Sequence, residues 1–107
     1  MHAPLKLSET MTGADGCTLE VAGELDLATA TQFRTEVSKL LGTGCRHLVV
    51  DLSRTTFLDS SGLGALVWAA HRLRSAGGQL IATRPTEHVA RTLRITGVEH
   101  LLALRED

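Results

Sequence analysis

The stretch HLVVDLSRTTFLDSSGLG, His47 to Gly64, decides how this chain folds. Its first part, His47-Leu-Val-Val-Asp-Leu52, is the nearly continuous apolar run of a strand buried on both faces, as parallel strands between helices are, and it predicts the central strand. Its end leads into a helix from about Ser60 to Ala76, because Leu63, Leu66, Val67, Ala70 and Leu73 return at helical spacing until Gly77-Gly78 stops them. Gln79-Leu-Ile-Ala-Thr83 then reads as another strand. Strand, helix and strand make a crossover unit, which requires a parallel pairing.

The same reading extends in both directions. Leu5 and Leu7 alternate with polar neighbours, and so do Cys17, Leu19 and Val21; the turn-rich Thr12-Gly-Ala-Asp-Gly16 between them suits a hairpin whose first strand lies at a sheet edge. Thr29 and Gln32 form a capping-box pattern, followed by Ala30, Phe33, Val37, Leu40 and Leu41 at helical spacing as far as Gly42-Thr-Gly44. After Pro85, Thr86 is placed to cap a third helix carrying Val89, Ala90 and Leu93, and Leu101 to Leu104 is expected as a last strand. The expected order is ββαβαβαβ. It describes one α/β domain over residues 1–107, with a mostly parallel sheet, an antiparallel edge strand and helices mainly on one face.

A chain of 107 residues has enough surface to bury for a single core, about 60% or a little more of what the unfolded chain exposes. Eleven Lys and Arg against twelve Asp and Glu give a formal net charge of -1, without the basic excess that binds phosphate backbones, so no direct nucleic-acid partner is expected. No stretch approaches the roughly 18 to 20 apolar residues of a membrane span, and MHAPLKLSETM has no signal-peptide run; no membrane association and a cytoplasmic location are expected. Cys17 and Cys45 have no CxxC partner or metal-ligand spacing and are expected as small buried hydrophobes, in keeping with a reducing compartment. His2, His47, His71, His88 and His100 fall on separate expected elements without an HxxxH or HExxH pair, so neither a metal nor a cofactor is expected.

Ser60 and Ser61 fall in the first turn of a helix, where backbone N–H groups have no internal partner. One reading is a cap in which Asp59 or Ser60 accepts from an N–H one turn on, worth about 1 kcal/mol. That leaves the second hydroxyl, Gly62 and Gly64 without a use. A nucleophilic serine is disfavoured because GxSxG spacing and an obvious base are missing, and a nucleotide loop because neither GxGxxG nor GxxxxGK[ST] is present. The remaining reading is a phosphate acceptor. The helix N-terminus tolerates the added charge, and Gly62 and Gly64 leave the hydroxyl approachable by a kinase or phosphatase.

Gly23-Glu-Leu-Asp26, Leu48-Val-Val-Asp-Leu-Ser53, Phe57-Leu-Asp-Ser-Ser-Gly-Leu-Gly64, Ala76-Gly-Gly78 and Ile95-Thr-Gly-Val98, in this order, resemble the STAS domain family over nearly the whole chain. The resemblance is specifically to the stand-alone anti-sigma factor antagonists of bacteria. It implies a partner switch in which the unphosphorylated antagonist binds an anti-sigma factor that is also a serine kinase, freeing a sigma factor, and phosphorylation reverses this; a serine phosphatase restores the first state. The chain is then a substrate and not an enzyme. The accepted serine lands on Ser60, the neighbouring Ser or Thr position on Ser61, the motif aspartate on Asp59 and the GELD aspartate on Asp26, in the loop facing the phosphorylation site. A related branch without an acceptor serine serves as a scaffold or transporter accessory, and the intact Asp59-Ser60-Ser61 speaks against it.

Ser60, Gly64, Trp68 and His71 share one stripe of the second helix. Gly64 and Trp68 are therefore expected to extend the Ser60 site into a partly apolar docking surface together with Asp26, Asp59, Ser61 and Gly62; the other reading folds Trp68 down over a neighbouring helix or strand edge. Arg72, Arg74, Arg91 and Arg94 are expected on solvated faces. Asp26 is expected to matter for the partner and hardly for the fold.

Overall fold

The computed structural model describes residues 4–107, so His2 lies outside the described residues. The alternating segments at the start form the expected hairpin: β1 (Lys6–Thr12) and β2 (Gly16–Leu25) pair antiparallel, with Leu7 opposite Val21 and Thr12 opposite Gly16. Along β2 the burial alternates, Cys17, Leu19 and Val21 being fully buried and Thr18, Glu20 and Ala22 half-buried, which is the period of two that a strand imposes on a sheet with one covered face. The rest of the chain adds α1 (Ala30–Gly42), β3 (His47–Asp51), β4 (Thr55–Leu58), α2 (Ser60–Ser75), β5 (Gln79–Thr83) and α3 (Glu87–Thr96). The sheet runs β1-β2-β3-β5, with β2, β3 and β5 parallel and β1 the antiparallel edge.

The core lies between the sheet and the helices. Phe33, Val37 and Leu40 of α1 and Ala65, Leu66, Ala69 and Leu73 of α2 pack on Leu19, Val21, Leu48, Val50, Leu80 and Ala82, all buried. Each such leucine or valine contributes about 1.5–3 kcal/mol through removal from water.

Two parts of the expected order are corrected. No pattern predicts a strand over Thr55–Leu58, yet β4 pairs there with Gly23, Glu24 and Leu25. β3 uses the first half of β2 and then turns at Leu52, with the Thr55 N–H donating to the Leu52 carbonyl (3.1 Å) and the Ser53 N–H to Asp51 Oδ1 (2.9 Å). The chain rejoins the second half of β2 as β4, across an irregularity at Gly23, whose φ of +119° suits glycine and few other residues. At the other end, Leu101 to Leu104 is not a strand. Ala103 turns left-handed (φ 47°), and a single parallel bridge, Thr83 with Arg105, adds the C-terminal segment to the β5 edge. Leu102 is fully buried, and its carbonyl accepts from the Ala82 N–H of β5 (2.9 Å), but the left-handed turn at Ala103 stops the pairing from extending into a strand.

The Thr29 capping box is absent as well. Gln32 Nε2 donates to the Leu5 carbonyl (3.0 Å), and Thr29 Oγ1 serves the loop before α1. Thr86 does cap α3, accepting from the Val89 N–H (3.4 Å), and Gly97 closes that helix left-handed. Beyond β3 and β5, Arg84 pairs with the buried carboxylate of Asp51. Burial pushes that carboxyl up, but the Arg84 guanidinium and the Ser53 N–H outweigh it and hold it below the usual carboxylate range. Among the described residues no helix is long and apolar enough to cross a membrane.

The expectation of free cysteines is also corrected. Cys17 and Cys45 are buried, but they are bonded to each other, so the argument from free thiols to a reducing compartment falls away. The reason is register: Cys17 opens β2 beside β3, and Cys45 stands just ahead of β3, which brings their Cα atoms to 6.1 Å across a sequence separation of 28. A bridge closing a loop of this length stabilises by about 3–4 kcal/mol through the unfolded chain. Urea unfolding with and without reductant should therefore differ by about that amount; equal stability in both would show that the bond adds nothing.

Candidate functional site

The site is assembled where β2 and β4 end and α2 begins. Asp59 is the N-cap of α2: its Oδ1 accepts from the Gly62 N–H (2.9 Å) and its Oδ2 from the Leu27 N–H (3.2 Å). One carboxylate thus binds the helix N-terminus to the β2–α1 loop. Ser60 is the first helical residue and is exposed; Ser61 beside it is half-buried. Their N–H groups belong to the first turn, which no intrahelical carbonyl reaches.

The two glycines differ in their reasons. A Cβ at Gly62 would lie 2.1 Å from the Leu25 carbonyl oxygen, so only glycine lets the first turn of α2 rest on the end of β2. A Cβ at the exposed Gly64 would meet nothing within 4 Å. Gly64 therefore weakens its own helix by about 0.5–1 kcal/mol relative to alanine, with no packing need inside the domain.

Asp26 departs from the expected surface acid. It is 6% exposed, and its Oδ1 accepts from the N–H groups of Ala28 (3.0 Å) and Thr29 (3.1 Å), while Thr29 Oγ1 accepts from the Asp26 N–H (2.9 Å) and donates to the Glu24 carbonyl (2.8 Å). The carboxylate is spent on folding the loop. What that loop shows to solvent is Leu27, 78% exposed. Leu27, Ala28, Phe57, Asp26 and Asp59 line an open pocket of about 400 Å³. Phe57 is 40% exposed, with its ring stacked on His88 at 5.8 Å. Sequence reasoning missed Leu27 and Phe57. Their signal was an apolar residue directly after the GELD turn, and another at an outward position of a short strand.

Trp68 follows Ser60 by eight residues, about 12 Å along the helix. It is half-buried against the core, and the Arg72 guanidinium lies 5.9 Å from its ring centroid. The reading in which Trp68 packs down is met in part, since the residue is half-buried against the core. The structure brings Asp26, Asp59, Ser60, Ser61 and Gly62 together, while Gly64 and Trp68 lie one and two turns along α2. Among the described residues no three His, Cys, Asp or Glu side chains gather as a metal cluster.

Comparison with known proteins identifies the family and the fold. The family described as "Mlab, STAS domain" matches residues 9–105. The chain belongs to the STAS domain family. The anti-sigma-B factor antagonist of Staphylococcus aureus is 28% identical over 98 residues, 92% of this chain and 91% of that protein. The fold is shared with an anti-sigma factor antagonist from Mycobacterium paratuberculosis (TM-score 0.86, 23% identity, 100% of this chain and 92% of that one). It is also shared with the anti-sigma factor antagonist SpoIIAA in its unphosphorylated form (TM-score 0.78, 22% identity, 94% and 87%). The STAS sheet, mostly parallel with one antiparallel pair, is the one described above.

Three substitutions separate the roles of these residues. Gly62→Ala should lower stability by about 1–3 kcal/mol, as overpacking does, whereas Gly64→Ala should raise it by about 0.5–1 kcal/mol. Asp26→Ala should cost about 1–3 kcal/mol by leaving buried donors unpaired, well outside the range of a surface change. Chemical denaturation measures all three; a neutral Asp26→Ala would return that residue to the surface.

Proposed function

We propose that this protein is an anti-sigma factor antagonist: it binds an anti-sigma factor with serine kinase activity while Ser60 is unmodified, and is released when Ser60 is phosphorylated. The observation that carries this reading is Gly64, exposed one turn beyond an exposed Ser60 and without any packing reason inside the domain. A partner that lies on α2 supplies the reason, because a side chain there would hold it off. Leu27 and Phe57 offer it apolar contact on one side and Trp68 on the other, and exposed apolar groups of this kind mark protein interfaces. The similarity to the Staphylococcus aureus antagonist supports the role, and SpoIIAA, of the same fold, is known in a phosphorylated form (TM-score 0.71, 20% identity).

In the switching step the Ser60 oxygen attacks the γ-phosphorus of ATP bound to the kinase, ADP leaves, and the hydroxyl proton passes to a base of the kinase. The chain supplies the hydroxyl and no catalytic group. The new phosphate carries about -1.5 to -2 charges. The α2 N-terminus offsets these by roughly 0.3–1 kcal/mol, up to about 2 if partly buried, and Asp59 opposes them from the next residue. The two effects are comparable, so the domain keeps its structure and the cost falls on the interface, where a buried dianion finds few partners. Asp26 acts through the loop it folds, setting where Leu27 and the Asp59 carboxylate stand. A serine phosphatase reverses the change, and the partner's kinase activity places the encounter in the cytoplasm.

Mass spectrometry after incubation with the cognate kinase and ATP should locate one phosphate on Ser60. Phosphate on Ser61 alone would move the acceptor by one residue, and none with any cognate kinase would favour a scaffold or transporter-accessory subunit. Ser60→Ala should bind the anti-sigma factor constitutively and Ser60→Asp should imitate the phosphate in part, with affinity lower by several-fold. Gly64→Ala, which is expected to stabilise the free domain, should weaken the complex; unchanged binding by this variant would remove α2 from the interface.

A further inference from the structure

Near their C-terminal ends α1 and α2 face each other across a groove, through Ser38 and Leu41 on one side and Arg72 and Ala76 on the other; one turn earlier on the same stripes, helical spacing puts Arg34 on α1 and Trp68 on α2. Near the C-terminal ends of the two helices this groove widens into a pocket of about 300 Å³ lined by Ser38, Leu41, Gly42, Arg46, Arg72 and Ala76. Arg72 is some 12 residues, about 18 Å, from Ser60 along α2. The pocket end of the groove is thus distant from the switch, and Trp68 is the residue between the two.

Its charge is one-sided. α2 contains no Asp or Glu, and the one acid of α1, Glu36, is turned to β1, where the neighbouring Glu9 carboxylate and burial push its carboxyl up. Asp15, whose carbonyl accepts from the Arg46 N–H (2.7 Å), turns its carboxylate to His47, 3.7 Å away. Among the described residues the ion pairs are made by His47, Arg84, Arg91 and Arg94, and not by Arg34, Arg46 or Arg72. Helix dipoles do not account for the excess. Each C-terminus carries about half a negative charge, so two ends match roughly one cation, and Arg34 stands in the N-terminal half of α1, where the dipole offers a cation nothing.

Two of the arginines are also held in place. Arg46 Nη1 donates to the carbonyls of Leu41 (3.0 Å) and Cys45 (2.8 Å), which fixes its fork, and the Arg72 guanidinium lies against the Trp68 ring. Planar guanidiniums fixed in this way suit carboxylates, which they bind through paired N–H groups. Between them lie apolar surfaces, half-buried Leu41 and Trp68, which suit an apolar side chain next to those carboxylates. An inorganic anion or a phosphate backbone has no such group, and the net charge of -1 works against a long polyanion. We infer that the groove between α1 and α2 is a docking surface for an acidic segment of a partner protein, whose carboxylates meet Arg34, Arg46 and Arg72 while an apolar residue sits on Leu41 and Trp68. It engages this segment whether or not Ser60 carries a phosphate.

Trp68 is the one tryptophan of the chain, so its fluorescence reports on the groove directly. Titration with poly-L-glutamate at low salt should shift the emission, and added salt should reverse the shift. Arg72→Ser and Arg34→Ser should each raise the dissociation constant about tenfold, the equivalent of one charge-assisted hydrogen bond, with unchanged melting temperatures. Arg34 is the safer variant, because Arg72 also touches the reporting ring. Arg91→Ser on α3, where Arg91 faces Glu87, should leave the constant unchanged. No shift with poly-L-glutamate would overturn the proposal, and so would an equal loss in Arg91→Ser. A shift produced only by phosphatidylglycerol vesicles or duplex DNA would overturn it in favour of a membrane or nucleic-acid surface.

Discussion

The first turn of α2 lies against the last residue of β2 with no space for a side chain between them, and the functional end of the molecule is organised by that contact. The Leu25 carbonyl occupies the place where a Cβ of residue 62 would stand. At this distance a single carboxylate, Asp59, spans from the helix N-terminus to the loop after β2, and the loop is then folded by Asp26 around its own N–H groups. A looser contact would separate these groups and leave several buried donors without acceptors, at a cost of about 1–3 kcal/mol each. The exposure of Ser60, Leu27 and Phe57 follows from this arrangement, because the polar groups beneath them are already satisfied by one another.

The helical layer divides its work along α2. At the N-terminal end are small residues, a hydroxyl and carboxylates, which suit a group that gains and loses negative charge. Toward the C-terminal end are tryptophan and arginine with no acid on the helix, which suit a fixed negative partner. A phosphate at Ser60 is about 18 Å from Arg72. That exceeds the screening length of about 8–10 Å at ordinary ionic strength, so the two ends act independently unless one partner covers both.

Much of the fold was legible because it rests on local pattern. The hairpin, the three helices and the two parallel strands after β2 follow from apolar spacing and from glycines that end helices, and the ordered motifs from Gly23 to Val98 marked the family. Other features depend on distant residues meeting. β4 is four residues long and exists because β2 outlasts β3 and leaves pairing groups to be filled. The segment around Leu102 looked like a strand because burial and strand pairing select the same apolar residues. Thr29 and Gln32 have the spacing of a capping box, but the backbone carbonyls of Glu24 and Leu5 compete for their side chains and win.

By itself the sequence determined the hairpin, the three helices and the strands β3 and β5, the edge position of β1, and the placement of two serines at a helix N-terminus, since each depends on neighbours within a turn or a strand. Only the tertiary structure decided that Cys17 and Cys45 are bonded, that Asp26 is buried, that Gly62 is needed by packing while Gly64 is not, and that Arg46 and Arg72 share one pocket. Those outcomes depend on register between strands and on which flanks of two helices face each other. Such distances are set by the close packing of the whole core, and no local spacing of residues encodes them.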